Sequence, residues 1–341
     1  MIKSKILVIM HESLVPPTRM SAKERLYSEM ATEYDVVTTL RSLNHEVLPL
    51  GLYDQTSPIS EALTKWQPQI VFNLMEEFNA NSSLDQNVVS FLELHQVPYT
   101  GCNPEGLMLA RNKGLSKKIL NFHKINTARF EVFPLRGLRE IKDQELKYPV
   151  IVKCLKEEGS LSLSQSSIVY DREKLLERVN YIHKKFQVDA IAEEFIEGRE
   201  FFLGILGNQQ VDTLPVWELL VKNSKNPSME FYSDRAKFNQ NYRERKGIIT
   251  QAAKLPKEIE EEMKRLGLET YSALQLSGYA RIDFRMDQNN KIYVLEANPN
   301  PNIAFDDEFA LSADFMGLTY PNLLNKIIKL GLEWHQLKMV A

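Results

Sequence analysis

Hydrophobic positions in the first hundred residues fall into short runs separated by stretches of helical period. The run KILVIM (5–10) precedes a helical pattern over 30–42, HEVLPLG (45–51) one over 59–66, and QIVFNLM (69–75) one over 84–94. Strands alternating with helices predict parallel βαβ units, whose ligands sit beyond the carboxyl ends of the strands. Neither G-x-G-x-x-G nor G-x-x-x-x-G-K-[ST] occurs there, so a nucleotide would need another holding device.

The pattern then changes. A helix is expected over 106–122, followed by the strand-like runs RFEVF, YPVIVKCL and SSIVYD and an amphipathic helix over 172–186, which reads as an α+β unit. Beyond it lie AIAEEFI, EFFLGILG and VDTLPVWEL, a polar stretch at 224–246, a long helix over 257–276, and a final helix over 320–336. Between the last two helices, YARIDFRM and KIYVLEAN flank a turn cluster at 287–290, which predicts an antiparallel hairpin.

That hairpin carries the first candidate chemistry. Glu296 and Asn298 are two apart in a strand and share one face. A symmetric loop would put Arg281 opposite Glu296 and Asp283 diagonal to it, on the same face. Two carboxylates completed by phosphate oxygens are how Mg²⁺ is usually held, so Asp283, Glu296 and Asn298 point to a Mg-nucleotide site. The plainer reading is a set of cross-strand ion pairs on a solvated face, worth about 0.2–1 kcal/mol each. Ile282, Phe284, Val294 and Leu295 crowd these charges, and a strand that buries charge does so for a reason.

Composition narrows the class without naming it. At 341 residues the chain exceeds what a single core usually serves, and 43% hydrophobic with 26% charged residues is ordinary for a globular protein. Divisions are expected near 1–110, 111–190 and 191–341. A net charge of −3 without long like-charge blocks leaves no footprint for nucleic acid or an anionic membrane. Two cysteines without metal spacing, and no apolar run of spanning length, fit a cytoplasmic protein in a reducing compartment.

Further polar positions follow apolar strands. Lys153 ends YPVIVK ahead of the Ser-rich EEGSLSLSQSS, which offers N–H groups to phosphate oxygens. AIAEEFIEGRE leads into Glu193, Glu194 and Glu200, and Lys113 stands in LARNKGLSKK. Each has a plainer reading as a solvated side chain. Order and spacing carry more: Lys113, Lys153, EEFIEGRE, Lys237 in FYSDRAKF, Arg281, Asp283 and EANPNP. In that order the sequence resembles the ATP-grasp superfamily, and within it a D-alanine:D-alanine ligase-like protein, along most of its length.

The resemblance implies an ATP-grasp fold, with a Rossmann-like pre-ATP-grasp domain, a central lid and a C-terminal catalytic domain. It implies that Lys113 and Lys153 contact phosphates, Glu193 the adenine amino group, Glu194 and Ile196 the adenine edge through their backbones, and Glu200 the ribose hydroxyls. Lys237 would reach the terminal phosphate from a mobile loop, and Ser160 would act from the phosphate loop. Asp283, Glu296 and Asn298 would hold one or two Mg²⁺ ions, or Mn²⁺ in their place. Arg281 would stabilise charge on the substrate, and Glu12 would meet a substrate ammonium. The implied chemistry joins a small-molecule carboxylate to an amine through an acyl phosphate, in a chain that often forms a homodimer.

The chain departs from that family at three places. Gly159–Leu163 is poorer in glycine than the family's phosphate loop, Phe238 replaces a tyrosine, and HESLVPP replaces a Gly-Gly-x-Ser turn. After EANPNP, where the family places residues that receive the second substrate's carboxylate, stand Asp306, Asp307 and Glu308. Facing a pocket, they would favour a cationic acceptor; otherwise Asp306 would be an N-cap and the other two would complement a helix dipole. Two further readings stay open, a nucleotide-binding protein without ligase activity and an ATP-grasp phosphotransferase.

Overall fold

The computed structural model describes residues 3–136, 146–156, 163–233, 235–236 and 239–340. The parallel sheet expected at the N-terminus is present: β1 (Lys5–His11), β2 (Glu46–Leu52) and β3 (Ile70–Asn73) lie in the order β2–β1–β3. Its central strand is covered on both faces, with Leu7 and Ile9 in one core and Ile6, Val8 and Met10 in another. That is why its sequence is an uninterrupted apolar run rather than an alternating one.

The second sheet is antiparallel, in the order β4–β7–β5–β6, from β4 (Phe130–Phe133), β5 (Val150–Cys154), β6 (Ile168–Val169) and β7 (Ala190–Glu194). Leu175, Val179 and Ile182, on one stripe of the helix Arg172–Phe186, cover it. The third sheet runs β11–β10–β8–β12–β13, with β9 paired to β8. It is built from β8 (Arg199–Gly207), β9 (Val211–Thr213), β10 (Trp217–Val221), β11 (Ile248–Ala252), β12 (Gly278–Met286) and β13 (Ile292–Pro299).

Four expectations need correcting. The helix foreseen over 106–122 is two, Pro104–Arg111 and Lys113–Phe122, because Asn112 leaves helical geometry and its side chain caps the second by accepting from Leu115 N at 3.1 Å. VDTLPVWEL divides into β9 and β10 around Pro215, which has no N–H for a ladder. The polar stretch at 224–246 holds a helix, Gln240–Lys246, and buries Phe231, Tyr232 and Ala236, and β11 follows it unforeseen.

The fourth correction fixes the site. Asp283 lies directly opposite Glu296, and Arg281 opposite Asn298, because the ladder slips by one between Asp283 and Phe284, leaving Leu295 as the extra residue. The shared face survives the slip. Ala280, Ile282, Phe284 and Met286 enter the main core, while Arg281, Asp283 and Arg285 point the other way.

The N-terminal sheet is tied to the segment after β13 by polar contacts. Arg25 bridges Asp35 and Asp306, Thr32 Oγ1 donates to Asn302 Oδ1 at 2.6 Å, and Phe305 N donates to Asp35 Oδ2 at 2.8 Å. Among the described residues no helix is long and apolar enough to cross a membrane.

Glu33, on the helix Ala31–Ser42 at this junction, is 5% exposed. Burial, reinforced by the charges of Glu76 and Asp35, pushes its carboxyl from the ordinary 4.5 up to about 8. The folded state therefore holds a proton that the unfolded state releases. Glu33 contributes full stability below its unfolded value, and that contribution falls as pH rises toward its folded value, at about 1.4 kcal/mol per pH unit. Urea unfolding between about pH 5 and about pH 8 should show this decline, and Glu33→Gln should flatten it. An unchanged slope in the variant would count against the burial of that carboxyl.

Candidate functional site

Strands of the second and third sheets line one cleft. β5 brings Lys153, β7 brings Glu193 and Glu194, and the connector after it brings Ile196. β8 adds Glu200, β12 adds Asp283 and β13 adds Glu296.

A buried charge cluster lies behind this wall. The Glu193 carboxylate, 1% exposed, is 3.1 Å from Lys153 Nζ and 3.2 Å from Lys117 Nζ. Burial alone would raise Glu193, but the two ammonium groups outweigh it and hold the carboxyl below its ordinary value. The side chain thus pairs with two lysines at the cleft lining. Lys117 escaped the sequence reading, although its i, i+4 spacing from Lys113 puts both on one helix face. Lys113, set at the first turn of its helix by the Asn112 cap, reaches Glu296 Oε2 at 3.7 Å, and Lys153 approaches the same oxygen at 4.0 Å.

On the hairpin, Arg281 grips Asp283 with two hydrogen bonds, Nε to Oδ1 at 2.7 Å and Nη2 to Oδ2 at 2.9 Å. Its guanidinium lies 5.1 Å from the Phe202 ring centroid, and Nη1 is 3.8 Å from Glu308 Oε2. Tyr232 donates its hydroxyl to Glu308 at 2.7 Å. Burial would lift the Glu308 carboxyl, but Asp307, Arg281 and Tyr232 bring it down to about 2. Asp307, half-buried beside it, is pushed well above its ordinary value by desolvation and by that charge.

The three acids after β13 therefore divide. Asp306 is paired with Arg25, with Nη1 to Oδ2 at 2.6 Å, and is not the N-cap. Asp307 caps the helix Glu308–Phe315, accepting from Glu308 N at 2.8 Å, and Glu308 alone stands beside Arg281. Glu12 lies exposed on a turn after β1 and is not part of the cleft lining. Lys237 and Ser160 lie outside the described residues.

The donor set fits a magnesium ion that arrives with phosphates. Among the described residues no three acidic, histidine or cysteine side chains gather to hold a metal by themselves. Two facing carboxylates do occur, at Asp283 and Glu296, and Asn298, two residues beyond Glu296, shares their face, where its amide oxygen would add a third oxygen ligand. Mg²⁺ is commonly bound by one or two carboxylates plus substrate phosphates.

Comparison with known proteins settles the family. A family model for the D-ala D-ala ligase C-terminus matches residues 111–329. The chain belongs to the D-alanine–D-alanine ligase family. It is 31% identical over 79% of its length to a D-alanine–D-alanine ligase of Caldicellulosiruptor bescii, 71% of which is covered. An uncharacterized protein of Sinorhizobium fredii, y4sG, is 30% identical over 86% of this chain and 85% of its own. The fold is that of a Bacillus anthracis D-alanine–D-alanine ligase, with TM-score 0.77, 23% identity, and coverage of 98% of this chain and 99% of that one. Within this ATP-grasp family, Glu193 with its two lysines is the feature most exposed to a stability test. Glu193→Gln keeps the volume but strands two buried ammonium groups, and should cost about 3–5 kcal/mol in urea unfolding without ligand. Adding Lys117→Met should recover a good part of that loss. A cost below about 1 kcal/mol would contradict the pairing.

Proposed function

We propose that this chain is an ATP-dependent ligase that joins a carboxylate to an amine through an acyl phosphate, and that its amine substrate carries no free carboxylate beside the amine. The ligase reading is carried by one convergence: Lys113 and Lys153 both approach Glu296, which faces Asp283 across the hairpin. Cations for phosphate oxygens and carboxylates for a metal thus gather around Glu296.

In this reading Asp283, Glu296 and Asn298 would hold Mg²⁺, which would supply positive charge to screen the phosphates. Lys113 and Lys153 neutralise the phosphoryl group as it moves. A carboxylate oxygen of the donor attacks the terminal phosphorus, ADP leaves, and an acyl phosphate results. The amine then attacks the acyl carbon, the bond from that carbon to the phosphate oxygen breaks, and inorganic phosphate departs while the nitrogen loses a proton. Arg281 supplies positive charge for the tetrahedral oxyanion.

The acceptor reading rests on Glu308. Its carboxylate already stands 3.8 Å from Arg281 Nη1, so an acceptor carboxylate would compete with a buried anion for the same guanidinium. A neutral or cationic acceptor meets no such repulsion.

Two measurements test these claims separately. Glu296→Gln should abolish ATP turnover while keeping the fold; retained Mg-dependent turnover would sink the metal assignment. Phosphate release from ATP should be screened over pairs of amino acids and amines, with products identified by mass. Release should depend on an added amine, D-alanine should be a poor acceptor, and Glu308→Gln should lower use of the true acceptor about tenfold while Mg-ATP affinity stays within about twofold. Efficient D-alanyl-D-alanine synthesis would refute the acceptor reading, and phosphate release indifferent to any amine would refute ligation.

A further inference from the structure

Arg285 is a cation of the cleft wall that the proposed mechanism does not use. It is 3% exposed, lines the cleft, and lies on the face of β12 that carries Arg281 and Asp283. An arginine stays protonated even when buried, so its charge needs an answer. Among the described residues no carboxylate is within ion-pair distance of it. Its Nη2 donates to Gly198 O at 3.1 Å and to Glu230 O, while Nε and Nη1 have no hydrogen-bond partner among the described residues. The Phe195 ring supports the guanidinium, with its centroid 4.7 Å away.

Position says which part of a ligand it meets. Along β12, Arg285 stands two residues beyond Asp283, about 7 Å farther from the facing carboxylates. There it pairs in register with Glu200 on β8, while Asp283 pairs with Phe202. The phosphate and metal end of the cleft is at Asp283 and Glu296; Arg285 and Glu200 lie at the other end. Glu200 offers an acceptor for hydroxyl groups, and Arg285 beside it offers N–H donors and a cation.

Resting on the nucleotide reading above, we propose that Arg285 is a specificity-determining residue that contacts the nucleoside half of the bound nucleotide, donating to ring nitrogens or ribose oxygens of a purine. A buried cation with uncommitted donors is stabilised by a ligand that is rich in acceptors and has a π face. Nucleotide binding thereby supplies what the fold withholds from this side chain.

The test compares Mg-ATP with Mg-tripolyphosphate, which keeps the phosphates and lacks the nucleoside, by calorimetric titration of the wild-type protein and Arg285→Met. The wild type should bind Mg-ATP more tightly than Mg-tripolyphosphate. Arg285→Met should weaken Mg-ATP about tenfold and leave Mg-tripolyphosphate within about twofold. Unchanged Mg-ATP affinity, or equal loss for both ligands, would overturn the proposal. Arg285→Lys, which keeps a cation and one donor toward Glu230 O, serves if the methionine variant does not fold, and the same selective loss is expected of it. A wild-type protein that binds neither ligand would overturn the nucleotide reading itself, whereas a variant that binds ATP normally would overturn only the role given to Arg285.

Discussion

A strand buried along its whole length, yet carrying three charges, sets the terms for the rest of the structure. All nine residues of β12 are buried, and β8 and β13 flank it so that neither edge meets water. Its even-numbered residues build the main core, which leaves Arg281, Asp283 and Arg285 to be satisfied on the opposite face. Burying ions costs several kcal/mol each, against a net stability of only about 5–15 kcal/mol for a domain. Arg281 and Asp283 answer one another through two hydrogen bonds, and Arg285 leans on backbone carbonyls. Such a strand is a poor way to gain stability and an effective way to hold charged groups in fixed positions.

The same logic extends to the second sheet. Lys153 arrives on β5, and Lys113 and Lys117 arrive on a helix that begins where Asn112 breaks its predecessor. Glu193 neutralises two of these lysines inside the protein, while Lys113 and Lys153 both lean toward Glu296 on the third sheet. On the nucleotide reading proposed above, a phosphate with its cation would exchange one set of partners for another, with the lysines already held in position.

Much of this was legible because it is local. The hairpin announced itself through apolar runs around a turn cluster, and the two-residue spacing of Glu296 and Asn298 fixed their common face whatever the register. The register itself was not legible. A bulge at Leu295 leaves no mark in a period-two pattern, and it moved Asp283 from diagonal to directly opposite Glu296. Lys117 was hidden for a different reason: a lysine on an amphipathic helix looks solvated until a carboxylate from a distant strand is placed against it. The break at Asn112 was written in the sequence as an N-cap residue inside a helical pattern and was read through. Arg25 and Asp306 are 281 residues apart, and nothing in either neighbourhood names the other.

That last pair bears on how one fold serves different amines. On the proposed reading the nucleotide would be held by strands, where a change of one side chain disturbs a ladder and a core together. On the same reading the acceptor would meet the segment after β13, which is held from outside by Arg25 on Asp306, Thr32 on Asn302 and Asp35 on Phe305 N. From within, it is held by Tyr232 and Arg281 on Glu308. A segment pinned at both sides by polar contacts can exchange the residue it presents to Arg281 without moving the strands that hold phosphate and metal. On the proposed reading, a carboxylate there would turn a site that attracts an anion into one that repels it, and the choice of amine would become separable from the activation of the acid.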